Sequence, residues 1–312
     1  MSNQKMPSIF IGDTSQKQSE RNVEGEYVAI FDDIFYKIKN YDAMDPFFMS
    51  IVSSSNHWLF ISSTGGLSAG RVSVEQSLFP YYTEDKLTEN SENTGSKTIL
   101  LVTRAGQTWL WEPFSARQQG QYHLQRNLYK NVPGTVLVFE ETNFSLELTY
   151  RYAWRTSEQF GFVKTAWLIN SSQVDSNCQV ELLDGLQNIL PANVVPANQN
   201  TFSSLLDGYK RSELEPNSGL GIFALNSTLT DLAEPSESLL ATTVFQVGLE
   251  GADILLSSLQ LDNFRFGAGI TPETEIRGRR GAYFAHACLE LAPSQEHSWH
   301  FVAEVSQDCV AI

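Results

Sequence analysis

Basic residues are scarce in this chain of 312 residues: 21 Lys and Arg stand against 36 Asp and Glu, a formal net charge of −15. A nucleic-acid binder would carry a basic patch or stripe to neutralise phosphates. An anionic membrane surface would repel such a chain as well. Neither partner is expected. Cysteine is scarcer still. Cys178, Cys288 and Cys309 lie far apart, are odd in number and form no CxxC pair, which excludes the usual zinc and redox motifs. Reduced thiols in a cytoplasmic protein are the reading they support. The opening MSNQKMPSIFIGDTSQKQSERN has neither the basic start nor the long apolar core of a secretory leader. No apolar run approaches the roughly 18–20 residues of a membrane span.

Signatures of known chemistry are absent too. The chain has no GxGxxG after a strand, no Walker loop, no HExxH and no GxSxG. None of the five histidines, His57, His123, His286, His297 and His300, is spaced as a metal pair. His297 and His300 flank Trp299, but a strand would point them to opposite faces. No metal and no cofactor is expected. Adjacent carboxylates such as Glu140-Glu141 and Glu84-Asp85 are common in an acidic chain and read as solvated surface. A glycosidase needs two carboxyls held across a cleft at a set separation, which spacing along a chain does not supply.

Aromatic and β-branched residues are plentiful. Nineteen Phe, eleven Tyr and six Trp sit among short runs of Val, Ile and Thr, a composition that favours strands and affords a large core. From Tyr27 onward these runs recur between polar turns, for example Thr98 to Val102 and Ala282 to Leu291. The clearest hairpin joins Thr135–Glu140 to Phe144–Tyr152. In its second arm Phe144, Leu146, Leu148, Tyr150 and Tyr152 alternate with polar residues at period two. One short helix is predicted over Asn200 to Arg211, where Phe202, Leu205, Leu206 and Tyr209 recur at helical spacing. About fifteen short strands with this single helical insertion make an all-β, large antiparallel sandwich. No linker divides it. Residues 1–26 read as a flexible arm or a strap, 27–306 as the β-domain, and 307–312 as the start of a linker.

The stretch from Phe47 to Leu87 stands out. Two short strands, around Phe48 to Val52 and Trp58 to Ile61, precede the break at Thr64-Gly65-Gly66. Arg71 and the aromatic segment Phe79-Pro80-Tyr81-Tyr82 follow. That segment is too apolar for a plain connection and is expected either to be buried or to meet a ligand or another domain. Trp58, Trp109 and Trp111 offer flat faces for a sugar ring and an indole N–H to donate. The same rings also suit a sandwich core. Arg71 and the run Arg277-Gly278-Arg279-Arg280 could hold a carboxylate or another anion; for the second, a solvated charged loop is the simpler reading.

With those residues in view, PFFMSIVSSSNHWLFISSTGGLSAGRVSVEQSLFPYYTEDKL resembles the N-terminal β-domain of bacterial enzymes related to cellobiose phosphorylase and cyclic glucan synthase. The later RGRRGAYFAHACLELAPSQEHSWHFVAEVSQD resembles the end of that domain. The resemblance implies a supersandwich of the galactose-mutarotase type, followed in the family by an (α/α)6 barrel that carries the catalytic groups of a glycoside hydrolase or phosphorylase. It implies that this chain is a domain cut off from that barrel, without catalytic residues of its own. Its partners would be an oligosaccharide or sugar, the barrel of the same enzyme, and a second copy in a homodimer. Trp58, Arg71, Tyr81, Tyr82, Trp109 and Trp111 are the residues expected at the sugar or the interface. Aldose 1-epimerases share the fold, and Asn56-His57-Trp58-Leu59-Phe60 faintly echoes their Asn-His-aromatic-Phe run. In that alternative His57, His123 and Glu290 are the acid and base candidates. A plain carbohydrate-binding module is the third reading.

Overall fold

The computed structural model describes residues 9–173, 177–227, 239–308 and 310–312. Among these residues every strand pairing is antiparallel. The all-β expectation holds. Among the described residues the largest sheet has eleven strands, and its centre is built from Leu137–Asn143, Leu148–Ser157, Gly161–Asn170 and Glu296–Gln307 in that order. A five-stranded sheet runs Gln107–Trp111, Gly95–Arg104, Cys178–Ile189, Gly281–Leu291, Asp253–Leu255. A four-stranded sheet runs Phe48–Ile51, His57–Ser62, Leu67–Arg71, Ser77–Phe79.

The two smaller sheets lie side by side on one face of the large one. Tyr150, Tyr152 and Trp154 share a face of their strand, as period two requires. Tyr150 meets Thr98 of the five-stranded sheet at 2.8 Å, whereas Trp154 meets Phe79 of the four-stranded sheet edge-on at 6.3 Å. On the next strand Lys164 reaches Asp184 and Phe162 packs on His57. One continuous core therefore spans the second layer, with Leu59, Ile61, Leu100, Leu182, Phe139 and Trp299 all buried in it. The reverse face of the large sheet carries a smaller cluster around Phe35, Tyr129, Val138 and Trp167, with Phe31 stacked on Trp167.

Several carboxylates are buried. Asp184 is completely buried with Lys164. Its oxygens accept from Lys164 Nζ at 2.7 Å, Thr98 Oγ1 at 2.7 Å, Trp299 Nε1 at 2.7 Å and, more weakly, Tyr150 at 3.4 Å. Burial lowers the proton affinity of Lys164, and the Asp184 charge opposes that shift. Glu141 accepts from Trp111 Nε1, the Phe114 amide and Arg126 Nε. Glu140, on the other face of the same strand, is buried and paired with Arg151. The Glu140-Glu141 pair is thus not solvated surface. Each carboxylate is buried because cations and donors on neighbouring strands replace water.

Several local expectations need correction. The helix over 200–211 is two short helices, Pro196–Thr201 and Ser203–Asp207, and Lys210 already opens the strand Lys210–Glu215. Of its apolar stripe, Leu206 is buried while Phe202 and Leu205 stay exposed, so there was no full face to bury. The hairpin arm begins at Leu148 and not at Phe144. Residues 144–147 form a turn, which the Asn143 side chain caps by accepting from the Ser145 and Leu146 amides. A further short helix, Leu261–Arg265, joins the single helical insertion that was expected, and the charged loop that holds Arg277 contains a strand, Glu275–Arg277. Of the N-terminal arm, the residues from Ile9 onward are described. Phe10–Ile11 pairs with Thr14–Ser15, and the Lys17 amide donates to Gly120. Its last residues, from Glu24, already belong to the first long strand.

Candidate functional site

The strand His57–Ser62 organises the most distinctive surface. His57, Leu59 and Ile61 point into the core, so Trp58 and Phe60 point out. Phe48 of the neighbouring strand stacks on Phe60 at 5.5 Å, and Trp58 stacks on Phe60 at 5.8 Å. Tyr81 then stands against Trp58 at 5.6 Å with an interplanar angle of 83°. Phe48 is 40% exposed and Tyr81 45%. The four rings form a strip along the outer face of the four-stranded sheet, ending in a right-angled corner at Trp58 and Tyr81. Gly70 lies opposite Trp58. A Cβ there would come within 2.4 Å of Trp58 Cζ2 and 2.6 Å of the Gln76 carbonyl oxygen. Only glycine lets the indole lie this close to the sheet.

The candidates from the sequence separate by burial and by partner. Trp58 and Tyr81 are brought together. Phe48, Phe60 and Gly70 complete the strip and were missed, although the alternation of residues 57 to 61 carries the signal. Tyr82 is half-buried, and Trp109 is half-buried against the core. Trp111 is 0% exposed, and its indole N–H donates to Glu141. A ring so enclosed cannot stack on a ligand, so Trp111 is the core residue of the two readings. Arg71 is already engaged: Nη1 pairs with Glu304 at 2.6 Å and Nε donates to Asn56 at 2.8 Å. It ties the four-stranded sheet to the long strand Glu296–Gln307.

His57, His123 and Glu290 are not assembled. His57 packs on Phe162, at the start of the strand Gly161–Asn170. Glu290 accepts from Asn177, next to Leu291, whose carbonyl accepts from Asn170 at the other end of that strand. Eight residues of strand put roughly 26 Å between the two ends. His123 is exposed beside Phe144. Three strand spacings, about 14 Å, separate the Leu124 register from Asn170. Among the described residues no group of three His, Cys, Asp or Glu could hold a metal. Among them too, no helix is long and apolar enough to cross a membrane. Cys178 is buried and Cys288 exposed, both as free thiols, while Cys309 lies outside the described residues.

His57 has a measurable signature. Burial, and then the nearby Arg71 charge, pull its pKa from 6.5 down to about 4. The unfolded chain therefore binds a proton there at higher pH than the folded one. The stability His57 contributes is complete above its unfolded pKa and is lost as pH falls towards the folded value. Relative to His57→Leu, the protein is expected to lose about 2 kcal/mol between pH 7 and pH 5, from 1.36 kcal/mol per unit. Urea unfolding of both proteins at the two pH values measures this. Parallel pH profiles would remove His57 from the account.

No family model matches the chain, and no curated protein matches it. Among solved structures it is similar to a bacterial glucoamylase complexed with acarbose, at TM-score 0.39 and 8% identity, over 86% of this chain and 34% of that one. A heparinase III matches at TM-score 0.37 and 9% identity, over 85% and 35%. A polysaccharide lyase matches at TM-score 0.40 and 11% identity, over 86% and 33%. The chain spans about a third of the length of each of these proteins.

Proposed function

We propose that this β-sandwich is a carbohydrate-binding scaffold without a catalytic centre of its own, acting in the cytoplasm. It would shape the sugar cleft of a helical barrel in a glycoside hydrolase or phosphorylase-like enzyme. The observation that carries the reading is the corner of Trp58 and Tyr81. One ring can lie under the apolar face of a pyranose while the other stands at its edge and offers a hydroxyl. Phe60 and Phe48 extend the apolar surface in the direction of a chain-like ligand.

A second exposed surface adjoins the strip and suits the barrel contact. Tyr27 and Tyr36, edge to face at 5.1 Å, line an apolar groove of about 540 Å³ with Met49 and Val52. Phe48 and Met49 are neighbours on the edge strand Phe48–Ile51 and point to opposite faces of it, so the strip and the groove lie on either side of that edge. A patch of this kind on a soluble protein marks an interaction surface. No specific observation favours the epimerase reading.

Titration calorimetry with cello- and malto-oligosaccharides tests the proposal. Binding is expected, and Trp58→Ala should weaken it by roughly tenfold or more, the loss of about 1.4 kcal/mol or more of ring contact. Tyr81→Ala should weaken it less. Affinities unchanged in both variants, or no binding by the parent protein, would remove the sugar from this surface.

A further inference from the structure

The run Arg277 to Arg280 is not absorbed by the aromatic strip. It borders a separate polar cleft of about 360 Å³ at the end of the strand Cys178–Ile189. That strand slips register against Gly281–Leu291 between Gln187 and Ile189, and the extra residue is Asn188. Its φ is 59°, in the left-handed region that asparagine tolerates better than most residues. Bulges of this kind re-aim a side chain, often beside a site. Asn188 is 4% exposed and is among the residues that line the cleft. Its Nδ2 donates to Thr94 Oγ1 at 2.9 Å, yet among the described residues its buried Oδ1 has no hydrogen-bond partner. An orphaned buried acceptor is costly and calls for a donor.

The opposite wall is cationic. Gly278, with φ 69°, donates its N–H to the Lys210 carbonyl, which anchors the loop that presents Arg279 and Arg280. Arg280 Nε reaches Asp207 Oδ2 only at 3.4 Å, while buried Lys210 holds Asp207 Oδ1 at 2.7 Å. Among the described residues no carboxylate pairs with Arg279. Two arginines therefore line the cleft beside one carboxylate, which buried Lys210 already holds, in a chain whose net charge is −15. Ser258, exposed on the rim, adds a hydroxyl.

We infer that this cleft binds an acidic oligosaccharide, with the carboxylate of a uronate residue on Arg279 and Arg280 and a sugar hydroxyl donating to Asn188 Oδ1. The chemistry of the wall selects this class. Free anions such as phosphate satisfy the arginines but bring little or no donor for Asn188 and Asp207. A neutral sugar satisfies the amide and leaves Arg279 unpaired. A uronate supplies both in one ring, and the cleft volume lies within the usual range for small-ligand sites. The inference stands apart from the aromatic strip, which Trp58→Ala tests with neutral oligosaccharides.

The test is calorimetric titration of the full chain with trigalacturonate, galactotriose and inorganic phosphate, at low and high salt. Trigalacturonate is expected to bind, more weakly as salt rises. Galactotriose and phosphate should each bind at least about tenfold more weakly, the difference made by one charge-assisted hydrogen-bonded group. Arg279→Gln, at an exposed loop position, should lower trigalacturonate affinity by roughly tenfold. Asn188→Gly keeps the left-handed backbone, removes the amide, and should also weaken binding. Trp58→Ala should leave trigalacturonate affinity unchanged. Absence of trigalacturonate binding overturns the inference. So does equal affinity for galactotriose, equal affinity for phosphate, or an unchanged affinity in Arg279→Gln.

Discussion

Asp184→Leu is expected to remove most of the stability of this protein. The carboxylate sits between the sheets at zero exposure, holding Lys164, Thr98 and Trp299 at 2.7 Å each. Replacing it leaves a buried ammonium with no counter-charge, a loss of about 3–5 kcal/mol. The Trp299 N–H and the Thr98 hydroxyl lose their partner as well, at about 1–3 kcal/mol for each group left wholly unsatisfied. Domains of this size are stable by about 5–15 kcal/mol in total. Burial already lowers the proton affinity of Lys164, so the orphaned lysine should shed its proton and not unfold the chain outright. Urea denaturation should show the midpoint collapsing. The double variant Lys164→Met with Asp184→Leu separates charge from packing. Two apolar side chains of similar volume replace the pair, and several kcal/mol should return, roughly 2–4. A single variant within about 1 kcal/mol of the parent would mean that water reaches this carboxylate and the sheets are not dry between Asp184 and Lys164.

Gly70→Ala is expected to take apart the aromatic corner from beneath. The added methyl meets Trp58 Cζ2 at 2.4 Å and the Gln76 carbonyl oxygen at 2.6 Å. The carbonyl cannot yield freely, because it accepts from the Arg71 amide at 2.9 Å where the strands Leu67–Arg71 and Ser77–Phe79 shift register. The indole has to tilt away, and Tyr81 loses its neighbour. Overpacking of this kind costs about 1–3 kcal/mol. Sugar affinity should fall as far as in Trp58→Ala, with a change in near-ultraviolet circular dichroism. Adding Trp58→Phe to Gly70→Ala should recover stability, since a smaller ring clears the methyl, without recovering affinity. Full affinity in Gly70→Ala would show that the position of Trp58 does not matter to the ligand.

The strand pattern was legible because side chains in a strand alternate strictly. His57 to Ile61 shows this: spacing alone puts Leu59 and Ile61 on one face of the strand and Trp58 and Phe60 on the other. The pattern failed at short elements whose residues answer to neighbours remote in sequence. Phe202 and Leu205 have helical spacing but no surface to cover, and Lys210 is drawn into a strand by its pairing with Leu225. The carboxylate pair Glu140-Glu141 looked solvated because charged residues usually are. Arg151 and Arg126 make both exceptions, and neither pairing follows from the local sequence.

Composition and alternation by themselves determined that this chain folds as antiparallel sheets, that the stretch after Phe47 presents aromatic rings, and that it carries no familiar catalytic motif. Tertiary structure decided which of those rings meet solvent. Trp58 and Trp111 both occupy strands in aromatic surroundings, yet one lies on the outside of a sheet and the other is sealed between two. Only tertiary structure brought Asn188 to the same cleft as Arg279. The physical reason is that a period of two assigns a side chain to a face but says nothing about what covers that face. Covering comes from strands a hundred residues away, and those contacts form only when the sheets stack.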